Sequence, residues 1–363
     1  MNVAVAQVRG QIAAILAAWG MGEDLARITT EVMIETNLAG VDSHGISMLT
    51  DYEQSRAKGK LNLNAQPKVV RENAVTALID AGAGLGHPAA VHGMELAIAK
   101  ARASGVGVVS VFNSHHFGSA GYYAAMAPRA GLVGLVTSAT RSINTVPTRG
   151  RDALLGTNPI AFAAPARRNR PFLLDMATAT SAANKVKVYE LKGKPLPPGW
   201  VLDASGAPVT DATAAMDTLF KRGPNAGGGL APLGGTEEMS SYKGYGLAMM
   251  AHILGGTLSG ASFSPLRVKT QKPADPDNIG HFLLALDPKA FRPEGEFEHD
   301  LDRVIDVLHA TPPVDPALPV LVAGDPEATE RARRLREGIP IPAALAEKLR
   351  GVCARCGAPY LLE

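Results

Sequence analysis

Cysteine is scarce in this sequence, and neither sign of charge dominates it. The two cysteines, Cys353 and Cys356, belong to one Cys-Ala-Arg-Cys near the C-terminus, which excludes a disulfide framework. One such pair is half of a zinc site, and no second pair lies near it. It is either an incidental pair or part of a metal site shared across an oligomer. The 36 basic and 34 acidic residues give a net charge of +2, which argues against nucleic acid or an anionic membrane as partner.

Long apolar runs are missing as well. No stretch approaches the roughly 20 uninterrupted apolar residues of a membrane span, and the N-terminus lacks the features of a signal peptide. We therefore expect a cytoplasmic protein without a membrane partner. The composition of 46% hydrophobic and 19% charged residues is typical of a compact folded chain. Its 363 residues suffice for two domains or one large one.

Common nucleotide-binding and hydrolase motifs are also absent. The run of Gly82, Gly84 and Gly86 suggests a Rossmann fingerprint, but the third glycine of that fingerprint would stand at position 87, which is His87. No acidic residue follows about 20 residues later at the end of a second strand. The sequence contains no P-loop, HExxH, GxSxG or EF-hand motif and no internal repeat. We expect no resident metal, and a dinucleotide would have to bind in a way that differs from the Rossmann fold.

Hydrophobic periodicity predicts helices at both ends of the chain. Residues 5–39 show apolar spacings of three and four that are interrupted at Gly20–Gly22, which predicts two helices. Further helices are predicted over 298–310 and 325–337. Because chain ends often lie close together in space, we predict one helical domain made of residues 1–72 with 298–363.

The middle of the chain, residues 73–297, is predicted to form a mixed α/β domain, because helices and strands alternate there. The predicted strands span 66–80, 105–112, 131–137, 160–164, 172–175 and 281–286. A helix over 88–104 would connect the first two strands as a βαβ crossover. Residues 191–235 are rich in glycine and proline and predict one long functional loop. A helix over 247–258 follows the Lys243-Gly244-Tyr245-Gly246 segment.

The segment Asn113–Gly121, which reads NSHHFGSAG, directly follows the apolar run 105–112. Polar and ionisable residues at a strand end are typical of an active-site cleft in α/β proteins. Adjacent side chains of an extended chain point to opposite faces, so at most one of the two histidines reaches a shared substrate. We choose His116, because Gly118 and Gly121 leave room for a ligand. Taken alone, the residues predict an α/β enzyme with a histidine-centred cleft, and two capping histidines are the alternative.

Several short motifs occur in a fixed order along nearly the whole chain. They are DSHG at 42–45, NSHHFGSAG at 113–121, LGTNP at 155–159, LDMAT at 174–178, PPGW at 197–200, PLGG at 232–235 and KGYG at 243–246. As an ordered set they resemble the type 2 malate/L-lactate dehydrogenases. That family includes ureidoglycolate and sulfolactate dehydrogenases, 2,3-diketogulonate reductase and cyclic-imine reductases. The resemblance implies a non-Rossmann NAD(P)-binding α/β domain, a helical domain from both chain ends, and a homodimer with the cofactor near the subunit boundary.

The resemblance also implies catalytic roles for His116, His44 and Asp175. His116 would be the general acid/base, since hydride transfer to a carbonyl requires one proton at the developing alkoxide and imidazole titrates near working pH. Asp175 would orient or charge His44 or His116, because an unpaired buried carboxylate is costly. A cap for the following turn is the alternative for Asp175.

For the substrate, the resemblance implies contacts from Ser43 and His44 to the reacting oxygen or the carboxylate. A helix N-cap is the alternative for these residues. Thr157 and Asn158 would face the substrate or shape the turn before Pro159.

For the cofactor, NAD or NADP, the resemblance implies contacts from two chain segments and two single residues. One segment is Asp175, Met176 and Ala177, and the other is Gly280, His281 and Phe282. The single residues are Thr140 and Lys243. Lys243 begins a predicted helix, whose N-terminus would supply donors and a favourable dipole to a phosphate. A solvated surface lysine is the alternative. The usual discriminator between NAD and NADP belongs to the Rossmann fold, so the choice stays open.

One substrate-binding position departs from the family pattern. Relatives that act on 2-oxo acids place an arginine four residues beyond the histidine of DSHG, where it grips the carboxylate with two parallel hydrogen bonds. This chain has Met48 there, and a thioether cannot replace a fork of charged donors. Either another arginine takes over or the substrate is less anionic at that point. The candidates are Arg56, Arg141, Arg149 and Arg151.

We therefore expect reversible hydride transfer between NAD(P)H and a 2-oxo acid or related compound. The alternative within the family is reduction of a cyclic imine carboxylate of the piperideine or pyrroline type. A lyase, a hydrolase or a binding protein without redox turnover is the alternative from another class.

Overall fold

A seven-stranded mixed sheet lies at the centre of the protein in the computed structural model, which describes residues 1–221 and 226–363. The strands are β1 (Asn2–Val3), β2 (Lys68–Glu72), β3 (Thr76–Asp80), β4 (Val106–Ser114), β5 (Val133–Ala139), β6 (Ile160–Ala164), β7 (Phe172–Met176), β8 (Val201–Leu202), β9 (Gly229–Leu230), β10 (Ile279–Leu286) and β11 (Ile339–Pro340). The order across the large sheet is β2-β3-β4-β10-β5-β6-β7, and β1 pairs with β11 and β8 with β9.

Helices flank the sheet and form both ends of the chain. They are α1 (Val5–Ala18), α2 (Glu23–Leu38), α3 (Leu49–Ala57), α4 (Gly86–Ser104), α5 (Ala120–Ala124), α6 (Met126–Arg129), α7 (Ala183–Leu191), α8 (Ala212–Met216), α9 (Ser241–His252), α10 (Ser264–Arg267), α11 (Glu296–His309), α12 (Asp325–Glu337) and α13 (Ala343–Cys356). None of the helices in the described part of the chain is both long enough and apolar enough to cross a membrane.

Apolar side chains from both chain ends form one buried cluster. On α1, Ile12 and Leu16 recur at a spacing of four and are fully buried, which confirms the predicted helical face. Leu349 and Val352 of α13 pack into the same cluster. The pairing of β1 with β11 holds the two chain ends together. Residues far apart in sequence thus share one core, and the boundaries 1–72 with 298–363 stay a prediction.

The predicted βαβ crossover is confirmed, because β3 and β4 are parallel and α4, which connects them, packs against β4. The prediction of a single strand over 66–80 was wrong. This range forms a hairpin of β2 and β3 that turns at Asn73, whose side-chain oxygen accepts from the backbone N–H groups of Val75 and Thr76. An Asn side chain that replaces backbone acceptors favours a turn over a continuous strand.

The prediction that 191–235 is one long loop was also wrong. Much of this range packs around its own apolar cluster, which includes Leu196, Val201, Ala215 and Leu230 together with Val186 of α7. The short strands β8 and β9 pair within it. Glycine and proline shape the turns of this unit but do not prevent a small core. Residues 222–225 of the predicted loop lie outside the described residues.

The helix α13, on which Cys353 and Cys356 lie one helical turn apart, was not predicted from the sequence. Cys353 is buried, and the side-chain amide of Gln11 donates to its Sγ at 3.2 Å. Within the described ranges, no group of three or more His, Cys, Asp or Glu side chains could hold a metal ion. The helix predicted over 247–258 begins earlier, at Ser241, and is followed by a wide helical turn at 253–257.

Strand register brings the predicted motifs to one edge of the sheet. Ser114 at the end of β4 pairs with Ile279 at the start of β10, and Ala139 at the end of β5 pairs with Gly280. Met176 at the end of β7 pairs with the first residue of β6. The segments that follow or precede these strand ends, which carry most of the motifs, therefore lie side by side. This edge is where chemistry is expected in such a sheet.

Candidate active site

A pocket at this sheet edge contains residues from α3 and from several strand ends. It is lined by Met48, Asp51, Tyr52, Ser55, Leu61, Leu85, His115, His116, Arg141 and Asp277. Tyr52 and Ser55 of α3 continue the helical spacing of Met48, which directly precedes the helix, so this face of α3 forms a wall of the pocket. The polar groups outside α3 come from loops after β4 and β5 and before β10. Two of the predicted site residues, Met48 and His116, thus share one pocket.

His116 is held by two hydrogen bonds at the same ring nitrogen. The backbone N–H of Gly118 donates to Nδ1 at 3.2 Å, and the Tyr52 hydroxyl lies 2.7 Å from Nδ1. Gly118 adopts the left-handed conformation with φ +78°, which a glycine tolerates without strain. The other ring nitrogen, Nε2, has no bonding partner in the described residues. Nε2 is therefore the nitrogen that is open to a substrate.

The surroundings of His116 favour a neutral imidazole. Burial lowers the pKa of His116 well below 6.5, and the neighbouring ionisable side chains of His44, His87, Arg141 and His281 lower it further, because a positive charge on any of them would repel an imidazolium. A neutral ring can donate or accept a proton at an oxygen without a permanent charge beside the substrate.

His44 lies beside His116, with ring centroids 5.3 Å apart. The Ser43 hydroxyl is 2.7 Å from His44 Nδ1, which leaves the opposite ring nitrogen directed away from Ser43. Burial lowers the pKa of His44, and the Asp175 carboxylate opposes this effect. The structure therefore brings Ser43, His44 and His116 together, and Asp175 acts on His44 through its charge.

Two buried polar side chains hold the turn that carries Ser43 and His44. The Asn37 side chain accepts from the N–H of Ile46 at 2.8 Å and donates to Asp42 at 2.9 Å. Arg334 of α12 donates to the same Asp42 carboxylate at 2.9 Å and to the Asn37 carbonyl at 2.7 Å. A Cβ at Gly45 would overlap the Asn37 side chain. A helix from the C-terminal end thus fixes the DSHG turn.

Asp175 stands at the end of β7 and accepts two hydrogen bonds from the loop that follows His116. The Ser119 hydroxyl donates to Oδ2 at 2.5 Å, and the N–H of Gly121 donates to the same oxygen at 2.8 Å. A Cβ at Gly121 would lie 2.8 Å from Oδ2. Gly121 therefore makes room for Asp175, which ties β7 to the His116 loop.

His115 faces a different group of residues, as expected for its position next to His116 on an extended strand. Its Nε2 lies 2.8 Å from the Lys60 carbonyl, and its Nδ1 lies 3.8 Å from the buried carboxylate of Asp277. Arg267, Arg141 and Lys60 also contact Asp277, at 2.6, 3.2 and 3.3 Å. We call Asp277 with these three cations the Asp277 cluster.

The Asp277 cluster has a net positive charge, because one carboxylate contacts three cations. Arg141 and Asp277 of this cluster line the pocket. Burial alone would raise the pKa of Asp277, but a hydrogen bond from Gln271 and the charges of Arg267, Arg141 and His115 lower it to about 2. Arg141 is the most exposed of the three cations, with 46% of its side chain accessible. Arg141 is thus the arginine that lines the pocket among the four named from sequence.

The other three arginines lie elsewhere. Arg149 pairs with Glu237 and Arg151 with Asp152, and the guanidinium of Arg56 lies over the ring of Trp19 at 5.6 Å. None of these three lines the pocket that contains His116.

The Thr157–Asn158 turn is fixed by its own hydrogen bonds. The Asn158 oxygen accepts from the N–H of Thr140 at 3.1 Å, and its amide donates to the Ala248 carbonyl at 3.1 Å. The Thr178 hydroxyl donates to the Thr157 carbonyl at 3.0 Å. These bonds support the turn-shaping role that the sequence left open, and they tie Thr140 to α9.

The proposed cofactor residues differ in how accessible they are. Met176 and Ala177 follow Asp175 at the sheet edge and are partly exposed, and Lys243 is exposed on α9. Gly280–Phe282 lie buried in β10 between two strands. The His281 ring stacks on Phe117 and lies within 3.0 Å of the hydroxyls of both Ser114 and Ser138. The structure does not bring the side chains of this last segment to the surface.

Sequence reasoning missed Tyr52 and the Asp277 cluster as parts of the site. Tyr52 stands four residues after Met48, and that helical spacing could have indicated a shared face. The Asp277 cluster had no such signal, because Lys60, Arg141 and Asp277 come from three distant loops.

A second cavity of about 240 Å³ lies between β7 and α11. Its lining includes Phe172, Ile305 and His309. It contains none of the predicted site residues.

Similar proteins agree on one family. The sequence matches the family described as malate/L-lactate dehydrogenase over residues 3–350. Malate dehydrogenase from Pyrococcus horikoshii is 36% identical over 347 residues, which cover 95% of this chain and 93% of that protein. The crystal structure of malate dehydrogenase from Entamoeba histolytica has a TM-score of 0.90 at 29% identity and covers 99% of both chains. Delta1-piperideine-2-carboxylate reductase from Pseudomonas syringae has a TM-score of 0.81 at 29% identity, with 97% of this chain and 99% of that chain covered. The predicted resemblance is confirmed, and the chain belongs to the malate/L-lactate dehydrogenase family.

Proposed function

We propose that this protein is an NAD(P)-dependent oxidoreductase that interconverts a 2-oxo acid, or a related compound, and the corresponding 2-hydroxy acid. The observation that carries the proposal is a single pocket in which His116 has a free Nε2 and Arg141 a half-exposed guanidinium. A proton donor and a carboxylate-binding cation are the two groups that such a reaction requires from the protein.

His116 acts as the acid/base at the reacting oxygen. Its Nε2 gives a proton to the oxygen during reduction and takes it back during oxidation. Ser43 and His44 form a hydrogen-bonded pair beside His116, and they orient the same oxygen from the other side. The negative charge of Asp175 favours the protonated form of His44, because it raises the pKa of His44 against the effect of burial.

Arg141 binds the substrate carboxylate in place of the arginine that Met48 replaces. Asp277 contacts one terminal nitrogen, Nη1, of the Arg141 guanidinium, and the remaining donors of the fork are left for a ligand. The anchored guanidinium is already ordered before substrate binds, which reduces the entropy cost of binding. Met48, Leu61 and Leu85 form the apolar wall beside it.

The residues at the sheet edge fit a nicotinamide dinucleotide in their chemistry. Thr140, Asp175, Met176 and Ala177 offer a hydroxyl, a carboxylate and backbone groups near the pocket, and Lys243 offers an exposed ammonium to a phosphate. The N–H groups of Lys243 and Gly244 already donate to the carbonyls of Ser240 and Leu233, so the Lys243 side chain supplies the contact. When bound, the nicotinamide ring supplies or accepts the hydride. Both NAD and NADP are candidates.

A screen of about 30 oxo acids, hydroxy acids and cyclic imines with NADH, NADPH and their oxidised forms, read at 340 nm, tests the proposal. We expect turnover of a carboxylate-bearing substrate with at least one cofactor. Fluorescence of NADH and NADPH on mixing with the protein is the control, because quenching or a blue shift reports binding without turnover. No fluorescence change with either cofactor would favour a redox-silent lyase, hydrolase or binding protein.

Reduction of a cyclic imine carboxylate is the second candidate. It is supported by the similarity to a piperideine carboxylate reductase and by the apolar wall of Met48, Leu61 and Leu85, which suits a saturated ring. In the same screen, turnover of piperideine or pyrroline carboxylates without turnover of open-chain 2-oxo acids would select this function.

We further propose a cytoplasmic homodimer. The family resemblance supports it, and so do the exposed apolar side chains of Tyr242, Met250 and Ile253 along α9 and the turn after it, because such surfaces favour association. Light scattering of the purified protein at micromolar concentration tests the oligomeric state. A monomer under these conditions would contradict the proposal.

A further inference from the structure

One carboxylate in the pocket has no counter-ion in the described part of the chain. It belongs to Asp51, which stands in the first turn of α3 and lines the pocket together with Met48 and Tyr52. We propose that Asp51 is a specificity-determining residue that binds a positively charged nitrogen, so that the substrate carries a cationic nitrogen as well as a carboxylate. This inference rests on the proposed function, because it names the substrate class of the same pocket.

The first observation concerns the partners of Asp51. Its half-buried side chain makes no hydrogen bond and no ion pair with any described residue. By contrast, Glu53 on the same helix lies outside the pocket and accepts two hydrogen bonds from Arg355, at 3.0 and 2.6 Å. The first turn of a helix favours a carboxylate through the helix dipole, but the dipole provides no counter-ion. The charge of Asp51 is therefore left for a ligand.

The second observation concerns the side chains around Asp51. Residues three and four apart share a helix face, so Met48 and Ser55 are its neighbours, and both line the pocket. Met48 is uncharged, and the Ser55 hydroxyl can accept from an N–H donor. Burial raises the pKa of Tyr52 most, and then Asp51 raises it further while Arg141 lowers it, so both charges act on one hydroxyl. Because Arg141 pairs with Asp277 instead, the pocket presents a carboxylate and a guanidinium as separate charges.

These separate charges fit a substrate with one group of each sign. Arg141 has donors left for the substrate carboxylate, as in the proposed function. A substrate without a cation would cover Asp51 and leave its carboxylate unpaired, which is costly. His115 and His116 offer no compensating charge, because burial lowers the pKa of both. An ammonium, a guanidinium or a protonated imine nitrogen supplies both the missing charge and the N–H donors.

Two kinds of compound share this chemistry. One is a 2-oxo acid with a basic side chain, and the other is a cyclic imine carboxylate that is protonated on nitrogen. The inference holds for both, because a carboxylate recognises the charge of the nitrogen and not the ring that contains it. The experiment therefore uses a ring pair and an open-chain pair of compounds, each matched in size and different in charge.

Isothermal titration calorimetry with pipecolate and cyclohexanecarboxylate tests the ring pair, with the protein alone and with NADH or NADPH present. Both compounds are already reduced, so binding is measured without turnover. They differ by an ammonium in place of a methylene group. We expect the wild type to bind pipecolate about 10- to 100-fold more tightly, and we expect Asp51→Asn to lose this preference.

The open-chain pair is 5-guanidino-2-oxopentanoate and 2-oxooctanoate, and kcat/KM for their reduction is measured at 340 nm. We expect the wild type to prefer the guanidino compound about 10- to 100-fold and Asp51→Asn to lose this preference. A purely structural role of Asp51 would lower kcat/KM for both compounds equally. A preference within the ring pair alone selects the cyclic imine, and a preference within the open-chain pair alone selects the basic side chain.

Asp24→Asn is the matched control, because it removes the same charge from the first turn of another helix, α2, where the side chain is exposed. It should keep the wild-type preference, and so should Asp51→Glu, which keeps the charge. If Asp51→Asn did not fold, Met48→Arg would replace it. This variant places a guanidinium one turn from Asp51 and should reduce the preference for the cationic compounds.

The outcomes separate this inference from the proposed function. No preference for the cationic compound in either pair, or a preference that persists in Asp51→Asn, would overturn the inference. Failure of all four compounds to bind would overturn it as well. Turnover of uncharged 2-oxo acids without any preference would leave the proposed function standing. A preference for pipecolate that depends on Asp51, in a protein that neither binds nor uses NADH or NADPH, would refute the proposed function and leave the role of Asp51 standing.

Discussion

His115 and His116 are neighbours in sequence and occupy opposite environments. His116 lies among other imidazoles and a tyrosine hydroxyl, whose partners can change with proton position. His115 lies against the Lys60 carbonyl and the Asp277 cluster, in which a buried carboxylate contacts three cations. Burial lowers the pKa of both histidines.

The difference between the two sides shows how one pocket combines two tasks. The His116 side keeps its groups neutral, so a proton can move there at little electrostatic cost. The Asp277 side keeps its groups charged, so an anion is held by a guanidinium that is already in place. A mutation on the first side should change the rate of proton transfer, and a mutation on the second should change substrate affinity or stability.

The largest effect is expected for His116→Asn. Loss of the acid/base should lower kcat by a factor of about 10² to 10⁴, while binding of NADH or NADPH by fluorescence is retained. His115→Asn is the matched control and should keep kcat within about tenfold, because Nε2 of His115 lies 2.8 Å from the Lys60 carbonyl and its Nδ1 faces the Asp277 carboxylate. Similar losses in both variants would remove the distinction between the two sides.

Asp277→Asn should have the largest effect on stability. It leaves three cations around a neutral buried amide, and loss of one partner of a buried ion pair costs about 3 kcal/mol or more. Chemical denaturation measures the free energy of unfolding. Asp300→Asn, which breaks the solvent-exposed pair with Arg292, is the control and should change the midpoint little. Equal midpoints for both variants would contradict a structural role for the Asp277 cluster.

The same carboxylate makes stability depend on pH. Its pKa is lowered from 3.8 to about 2 in the folded protein, so the unfolded chain binds the proton more readily. The stabilisation is fully present above about pH 4 and is lost as the pH falls towards 2. Asp277→Asn should lack this part of the acid sensitivity, and thermal unfolding between pH 2 and 5 would show it.

Arg141→Gln should act on substrate affinity. Loss of a charged hydrogen-bond fork to the carboxylate should raise KM for the best 2-oxo acid about 10- to 100-fold, with a smaller change in kcat. Arg149→Gln removes an exposed arginine that pairs with Glu237 outside the pocket and should leave KM unchanged. An unaltered KM in Arg141→Gln would mean that the carboxylate binds elsewhere.

The smallest effect is expected for Met48→Arg. A second guanidinium on the apolar wall should raise kcat/KM for pyruvate and oxaloacetate several-fold, because simple 2-oxo acids gain a second contact. Steady-state kinetics at 340 nm measure it. An unchanged or lower kcat/KM would show that the wall of Met48, Leu61 and Leu85 suits a different substrate.

Much of the fold followed from local patterns. Burial of one face makes hydrophobic residues recur at a characteristic spacing along each helix or strand. This spacing predicted the faces of α1 and α2, the βαβ crossover and the strands that precede the motifs. The hairpin at 66–80 and the unit within 191–235 were misread. In both regions, glycine, proline and asparagine mark turns. Turn residues do not show whether the chain between them packs into a hydrophobic core.

The sequence by itself determined which residues stand at strand ends, the order of the motifs and hence the family. It also indicated that His115 and His116 point in opposite directions, since side chains alternate along a strand. Only the tertiary structure decided what each histidine faces. Lys60, Arg141 and Asp277 meet His115, while Tyr52 and His44 meet His116, through contacts between segments far apart in the chain. Periodicity constrains neighbours along one element, whereas the electrostatics of a pocket depends on distances that chain packing sets.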